Sequence, residues 1–541
     1  MKKQVIAIIL LFILLGIKVE AQLSTKELPV SFSLERGADL FDNKILETLP
    51  RLDMVEINQE DMERKEKGLT PRLGYVHKVH YDLNNSGKWN TLANGDKIWQ
   101  LDIYSPEASS INLTYDKFWL PEGAKFFIYR SDKTRSIGAF TSVNNKGDKE
   151  NPRGFATALV SGDKITLEYY VPDSVKENGI ISIDRVVHRY RNIALSERAD
   201  PDGCLVNVNC SEGQNWQNEK HAVVYIEGYD EKGWINRFTG FLVNTTANDT
   251  RPLVMTAHHC LENLFDAINN PVMDQHVFYW NFESPTCIAP DWLHGNYDDC
   301  ELFESTTGAI VVANDVNNGD FALLRLTENP KNNPDIYLNY LGWDATGNPG
   351  TGGGVGISHP HYYPKKIATY SIPPPLEANC VIHGLKTDYW AIDWIVTANG
   401  HSVIFDGSSG SPLINNNHRV IGQLSQSCNL PWDCKDIVFL TVPSNYGKLS
   451  VSWNSGNVPQ RRLKEWLDPI NTGVLVLDGC ITSFTDQTVT ANKSVVSCDN
   501  LRVKNVTVSN DAKLTLNAPG EITINGNFEV QLGSQLEIKS P

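Results

Sequence analysis

All ten cysteines of this 541-residue chain lie at or beyond position 204, at Cys204, Cys210, Cys260, Cys287, Cys300, Cys380, Cys428, Cys434, Cys480 and Cys498. The chain therefore divides in two. The first part must hold together by its core alone, and the second can be stapled. An even cysteine count in an exported chain reads as disulfides, and no Cys-x-x-Cys pair with a matching pair offers a structural zinc site.

Export is what the first residues imply. Lys2 and Lys3 precede an unbroken apolar run from Val5 to Ile17, and Val19 and Ala21 supply the small residues of a cleavage site. This predicts a signal peptide over 1–21, cut before Gln22, and a secreted or cell-surface protein. The run is short for a membrane span, and no later segment approaches one, so no transmembrane segment is expected. The net charge of −16 argues against nucleic acid as a partner, because phosphate binding needs clustered Lys and Arg.

Past the leader, the first part reads as strands: Trp99 to Tyr104, Lys125 to Arg130, Lys164 to Tyr170 and Ile180 to Ile183, separated by Gly, Pro and Asn clusters. Only Met54 to Lys67 looks helical. Residues 22–198 are thus expected to form a β-sandwich-like domain. Residues 199–480 continue as short strands, with a helical turn near Ala257 to Leu264 and a helix from Arg461 to Leu467. After Cys480, five short alternating strands (Val506 to Val508, Lys513 to Leu516, Ile522 to Ile524, Phe528 to Val530 and Leu536 to Ile538) make 481–541 a β-rich module. It is either a stacked solenoid or a simple antiparallel sheet. The fold class is all-β.

Three contexts in the stapled part carry chemistry. Gly407-Ser-Ser-Gly-Ser-Pro412 places Ser409 between small residues that allow a tight turn, with the N–H groups of Gly407 and Ser409 available to an oxyanion. Alone, such a hexapeptide reads as a loop. Val254-Met-Thr-Ala-His-His-Cys260 ends an apolar strand on two histidines, of which His259, beside the cysteine, is the candidate base. Asn314 to Leu326 contains Asp320 at the head of a β-run. Asp315 competes, but a turn of Asn and Gly surrounds it. Nucleophile, base and orienting carboxylate are the parts that peptide hydrolysis needs, and the order His, Asp, Ser is that of chymotrypsin-like enzymes. An α/β-hydrolase would need a Gly-x-Ser-x-Gly elbow with its Asp and His downstream, which is absent.

These motifs, with Gly342-Trp-Asp344, Gly422-Gln-Leu424 and Trp466-Leu-Asp-Pro469, resemble the bacterial lysyl endopeptidase family over Gly203 to Gly479. Leu120 to Tyr129 and Gly162 to Glu168 resemble that family's propeptide. The resemblance implies a chymotrypsin-like double β-barrel protease made as a precursor, with His259, Asp320 and Ser409 as its triad. It also implies disulfides Cys204–Cys428 and Cys210–Cys287. The family partner of Cys260 is replaced by Phe238, leaving Cys260 free or paired elsewhere, with Cys300 the candidate.

Two departures bear on function. The aspartate at the base of the family's lysine pocket is Ser444 here, and the stacked tryptophan–histidine pair lining that pocket falls on His383 and Ser425. Asp433 or Asp436 would have to restore the charge, so a preference for lysine does not follow. Trypsin-type activation, in which a new α-amino group pairs with an aspartate before the nucleophile, is excluded by Ser408. The expectation is a monomeric serine endopeptidase acting on protein or peptide substrates, with no cofactor and no metal. Its own propeptide would be a partner, cut away near Arg198-Ala199. The alternative is an inactive β-rich surface adhesin.

Overall fold

The computed structural model describes residues 27–34, 45–66, 72, 74–190, 205–229, 235–264, 273–288, 304–375, 384–427 and 443–539. Twelve strands build its central body. In the first half they are β1 (Val223–Tyr229), β2 (Ile235–Leu242), β3 (Leu253–Ala257), β4 (Val277–Tyr279), β5 (Ala309–Asp315) and β6 (Phe321–Leu326). In the second they are β7 (Gly354–Ser358), β8 (Lys366–Tyr370), β9 (Tyr389–Ile392), β10 (Pro412–Asn415), β11 (Arg419–Ser427) and β12 (Ser444–Lys448).

The first six pair in the order β4-β1-β2-β3-β6-β5, and the second six in the order β8-β7-β10-β11-β12-β9. Numbered one to six within each half and read around a ring, with the short strand Ser305–Thr307 added beside β4 in the first, both orders are 1-2-3-6-5-4. This duplicated Greek-key arrangement is the chymotrypsin-like double barrel. Its strands are short, and those buried on both sides, such as β3 and β7, are apolar or small throughout. One core cluster runs through both halves, from Val224 and Phe241 to Ile357, Ile414 and Trp343, whose ring lies 4.7 Å from that of Trp453.

The described residues between 45 and 190 form a two-sheet sandwich. One sheet includes Lys97–Tyr104, Lys125–Arg130 and Lys164–Val171, and the other includes Gly74–Asp82, Ser110–Trp119 and Ile180–Arg189. Trp99, Tyr115, Phe126 and Ile183 are buried between them. The charged segment expected to be helical is a helix, Met54–Glu66. The helix expected from Arg461 to Leu467 is shorter, Lys464–Leu467, after a 3₁₀ turn at Pro459–Arg461.

The C-terminal strands stack in parallel. Leu501–Val508 pairs with Ser483–Val489 and with Ile522–Val530, while Lys513–Asn517 pairs with Lys493–Val496 and with Gln535–Lys539. This is a solenoid, since consecutive antiparallel strands would pair with their neighbours in sequence. The two short strands expected at Ile522 and Phe528 are one strand. The Cys480–Cys498 disulfide spans the expected boundary at residue 480, and the solenoid's first coil is bound to the barrels where Thr482 and Ser483 N–H groups donate to Asn339 Oδ1 at 2.8 and 2.9 Å.

Candidate active site

Strand β3 is fully buried and pairs with β6, Ala257 lying opposite Phe321. Where β3 ends, the two histidines diverge. His258 Nδ1 meets Asn314 Oδ1 at 3.1 Å. His259 Nδ1 meets Asp320 Oδ2 at 2.7 Å, and the His259 N–H donates to Asp320 Oδ1 at 3.0 Å. The two competing aspartates separate equally clearly, because Asp315 caps its own loop through Asn317 N–H and Asn318 Nδ2, both at 2.9 Å.

Asp320 takes up its position through an unusual backbone. Its φ is +53° and that of Gly319 is +89°. A Cβ on Gly319 would sit 2.7 Å from Ser452 Oγ. The Asp320 side chain is only 2 % exposed, whereas the His259 ring is 30 % exposed and can reach a substrate.

Asp320 has a third donor. Ser425 Oγ, on β11 of the other barrel, donates to Oδ2 at 2.6 Å. Gln423 Nε2, two residues earlier on β11, donates to Gly319 O at 2.6 Å and Asp320 O at 3.2 Å. Ser425, read from sequence as a pocket residue, thus binds the Asp320 carboxylate. No local signal around Ser425 could have shown this, because its partner lies 105 residues away. Burial opposes an imidazolium at His259, but the Cys260 sulfur and then the Asp320 carboxylate outweigh it and hold the ring's pKa well above the ordinary histidine value.

The serine loop is a tight turn pinned between the barrels. Ser408 N–H donates to Phe405 O and Ser411 N–H to Ser408 O, both at 3.0 Å. From β2, Thr239 N–H donates to Ser409 O at 2.9 Å and Thr239 Oγ1 to Gly407 O at 2.8 Å. Gly410 has φ +82°, and a Cβ there would lie 2.0 Å from Thr256 Oγ1. The expected oxyanion donors, the N–H groups of Gly407 and Ser409, make no hydrogen bond with any described residue. Ser408 is buried, its Oγ 3.0 Å from Ser358 Oγ.

The expected triad is joined by hydrogen bonds on one side only. His259 Nε2 faces Cys260 Sγ at 3.8 Å, and no hydrogen bond joins His259 to Ser409. Cys260 is a free thiol among the described residues, and Cys300 lies outside them.

Ser444 is buried on β12 and accepts a hydrogen bond from Trp394 Nε1 at 2.8 Å. The Trp394 ring stands edge-on to Tyr446 and Tyr370, at 6.1 and 6.2 Å, in a buried cluster with Ile392, Ile404 and Leu424. No carboxylate binds Ser444 or Trp394 among the described residues. Of the other sequence-derived positions, His383, Asp433, Asp436 and the Cys204–Cys428 pair lie outside the described residues. The Cys210–Cys287 disulfide is formed. Among the described residues no cluster of three or more His, Cys, Asp or Glu side chains could hold a metal.

Residues 199–435 match the protein family described as Lysyl endopeptidase, C-terminal domain. Among solved structures, the chain is similar to the Rv3671c protease from M. tuberculosis in its active form. Identity is 16 % over 48 % of this chain and 88 % of that one, with a TM-score of 0.29. It is also similar to a serine endoprotease from Yersinia pestis, at 12 % identity over 44 % of this chain and 62 % of that one, with a TM-score of 0.28.

Proposed function

We propose that the chain is an exported serine endopeptidase, related to the lysyl endopeptidases and made as a precursor, with Ser409, His259 and Asp320 as its triad. The observation that carries this reading is the buried Asp320 carboxylate, held from one barrel by His259 and from the other by Ser425. A carboxylate so placed fixes the imidazole with Nδ1 protonated and Nε2 directed at the cleft.

For reaction, Nε2 turns from Cys260 to Ser409 Oγ, a contact that often closes only with substrate bound. His259 then takes the Ser409 proton as Oγ attacks the scissile carbonyl. The oxyanion that forms meets the Gly407 and Ser409 N–H groups, which have no other partner among the described residues. Collapse expels the amine, protonated by His259, and leaves an acyl-enzyme. Water, deprotonated by the same ring, releases the acid.

The pocket reading is a preference for uncharged, apolar residues before the cut. Its support is the apolar cluster around Trp394 and Tyr446 and the absence of a carboxylate partner for Ser444 among the described residues. The sandwich domain is read as the propeptide, with residues 1–21 as the signal peptide. Mass spectrometry of the secreted protein is expected to find a new N-terminus between about Leu195 and Pro201. An active species still beginning at Gln22 would overturn the precursor reading.

The contact between Nε2 and Cys260 is the one observation that favours the inert, adhesin-like reading. A fluorophosphonate probe separates the two: labelling of the wild type, lost in Ser409→Ala, is expected. No Ser409-dependent labelling in any form would leave the adhesin.

A further inference from the structure

We propose that the N-terminal sandwich is a retained partner of the protease body: it docks on the outer wall of the first barrel and stays bound after the connecting segment is cut. This rests on the precursor reading above, but its physical basis is the interface itself.

Nothing covalent would hold the two parts once the chain is cut, because no cysteine precedes Cys204. The contact surface is nonetheless built like an interior. Ala156, Ala158 and Leu159 of the sandwich share one buried cluster with Tyr225, Val277, Tyr279 and Phe282 of the barrel. Around it, Arg153 grips Asp274 in the forked geometry of a guanidinium on a carboxylate, at 2.9 and 2.6 Å. Asn144 Nδ2 donates to Glu328 Oε1 at 2.9 Å, and Lys146 Nζ to Thr307 Oγ1 at 2.7 Å. The barrel answers through Gln275 Nε2, which donates to the Tyr115 backbone carbonyl at 2.9 Å.

The deepest contact is an ion pair between Arg189, at the end of the last sandwich strand, and Glu227 on β1. Both side chains are 1 % exposed. Glu227 also accepts from Tyr225 OH at 3.2 Å. Taking the sandwich away would remove Arg189 from this carboxylate and open the apolar cluster to water, two costs paid together.

The position of the interface supports retention. Among the described residues, no hydrogen bond, ion pair or shared core cluster joins the sandwich to His259, Asp320 or Ser409. A propeptide that inhibits by filling the cleft has to leave before substrate can enter. One seated on the barrel wall, without contact to these three residues, need not.

The test uses the full-length Ser409→Ala chain with residues 195–201 replaced by the recognition sequence of a site-specific protease. The cut is then made independently of the chain's own activity. After cutting, the two fragments are expected to co-elute in gel filtration under native conditions. Arg189→Met should weaken their association roughly a hundredfold, and Arg153→Asp roughly tenfold, on the scale of losing one partner of a buried or half-buried pair. Because Arg189→Met could impair folding, the reversed pair Arg153→Asp with Asp274→Arg provides the second arm and should recover most of the lost affinity. Separation of the wild-type fragments overturns the proposal. So does co-elution whose affinity is indifferent to both substitutions, since another surface would then hold them. A failure of fluorophosphonate labelling would sink the enzyme reading and leave these outcomes unchanged.

Discussion

At the Asp320 end of the proposed cleft a buried carboxylate is held by hydrogen bonds from both barrels, whereas at the Ser444 end no carboxylate lies against the serine among the described residues. Asp320 is bound by His259 and Ser425 from two barrels. Ser444 is tied off by an indole N–H. The two ends share a strand pair, since Ser427 on β11 faces Ser444 on β12 two residues beyond Ser425. On the proposed reading, chemistry and selectivity are built from neighbouring residues but rest on different physics. The first needs short, charge-assisted bonds that fix a geometry. The second needs only the sign of one buried group, which a single substitution changes.

The largest effect is expected at the catalytic end. Ser409→Ala or His259→Ala should lower kcat by about 10⁴-fold or more with the fold intact, as read from single-turnover assays beside circular dichroism. Near wild-type cleavage of casein by Ser409→Ala would break the comparison at its stronger side.

Ser444→Asp tests the other end. It should raise kcat/KM for peptides with lysine before the scissile bond by roughly a hundredfold, because a buried ammonium without a carboxylate costs several kcal/mol. A wild-type enzyme that already prefers lysine or arginine by about that factor would mean that a carboxylate such as Asp433 or Asp436 reaches the pocket.

Ser425→Ala lies between the two ends. Losing the 2.6 Å bond to a buried carboxylate should cost about tenfold in kcat with KM little changed, on the scale of a hydrogen bond to a charged group. A change in KM or in the residue preferred before the cut, with kcat intact, would return Ser425 to a pocket role alone.

The smallest effect concerns pH. His259 must be neutral to accept the Ser409 proton, and the Cys260 sulfur helps to raise its pKa. Cys260→Ala removes that influence, so the acid limb of the kcat/KM profile should move to lower pH. A limb that stays in place would mean that Asp320 alone sets the ring's affinity for protons.

Much of this site was legible in one dimension. The serine turn announces itself because Gly407 and Gly410 adopt φ of +90° and +82°, which few other residues tolerate. Asp320 could be preferred to Asp315 because a carboxylate amid Asn and Gly caps its own loop, and it does. The C-terminal strands were visible by alternation, but alternation is the same in a hairpin and in a solenoid. Only the parallel register of Leu501 with Ile522 distinguishes them.

What the amino-acid order determined by itself were the features enforced within a few residues: short strands, tight turns, the His, Asp and Ser contexts and the partition of cysteines. Tertiary structure decided the contacts across chain distance. It brought Ser425 to Asp320, Trp394 to Ser444, Arg189 to Glu227 and Cys260 to the outer nitrogen of His259 in place of Ser409. The physical reason is that a side chain's local preference specifies the conformation of its own backbone. Its partner is chosen by which strands face each other once both barrels have closed.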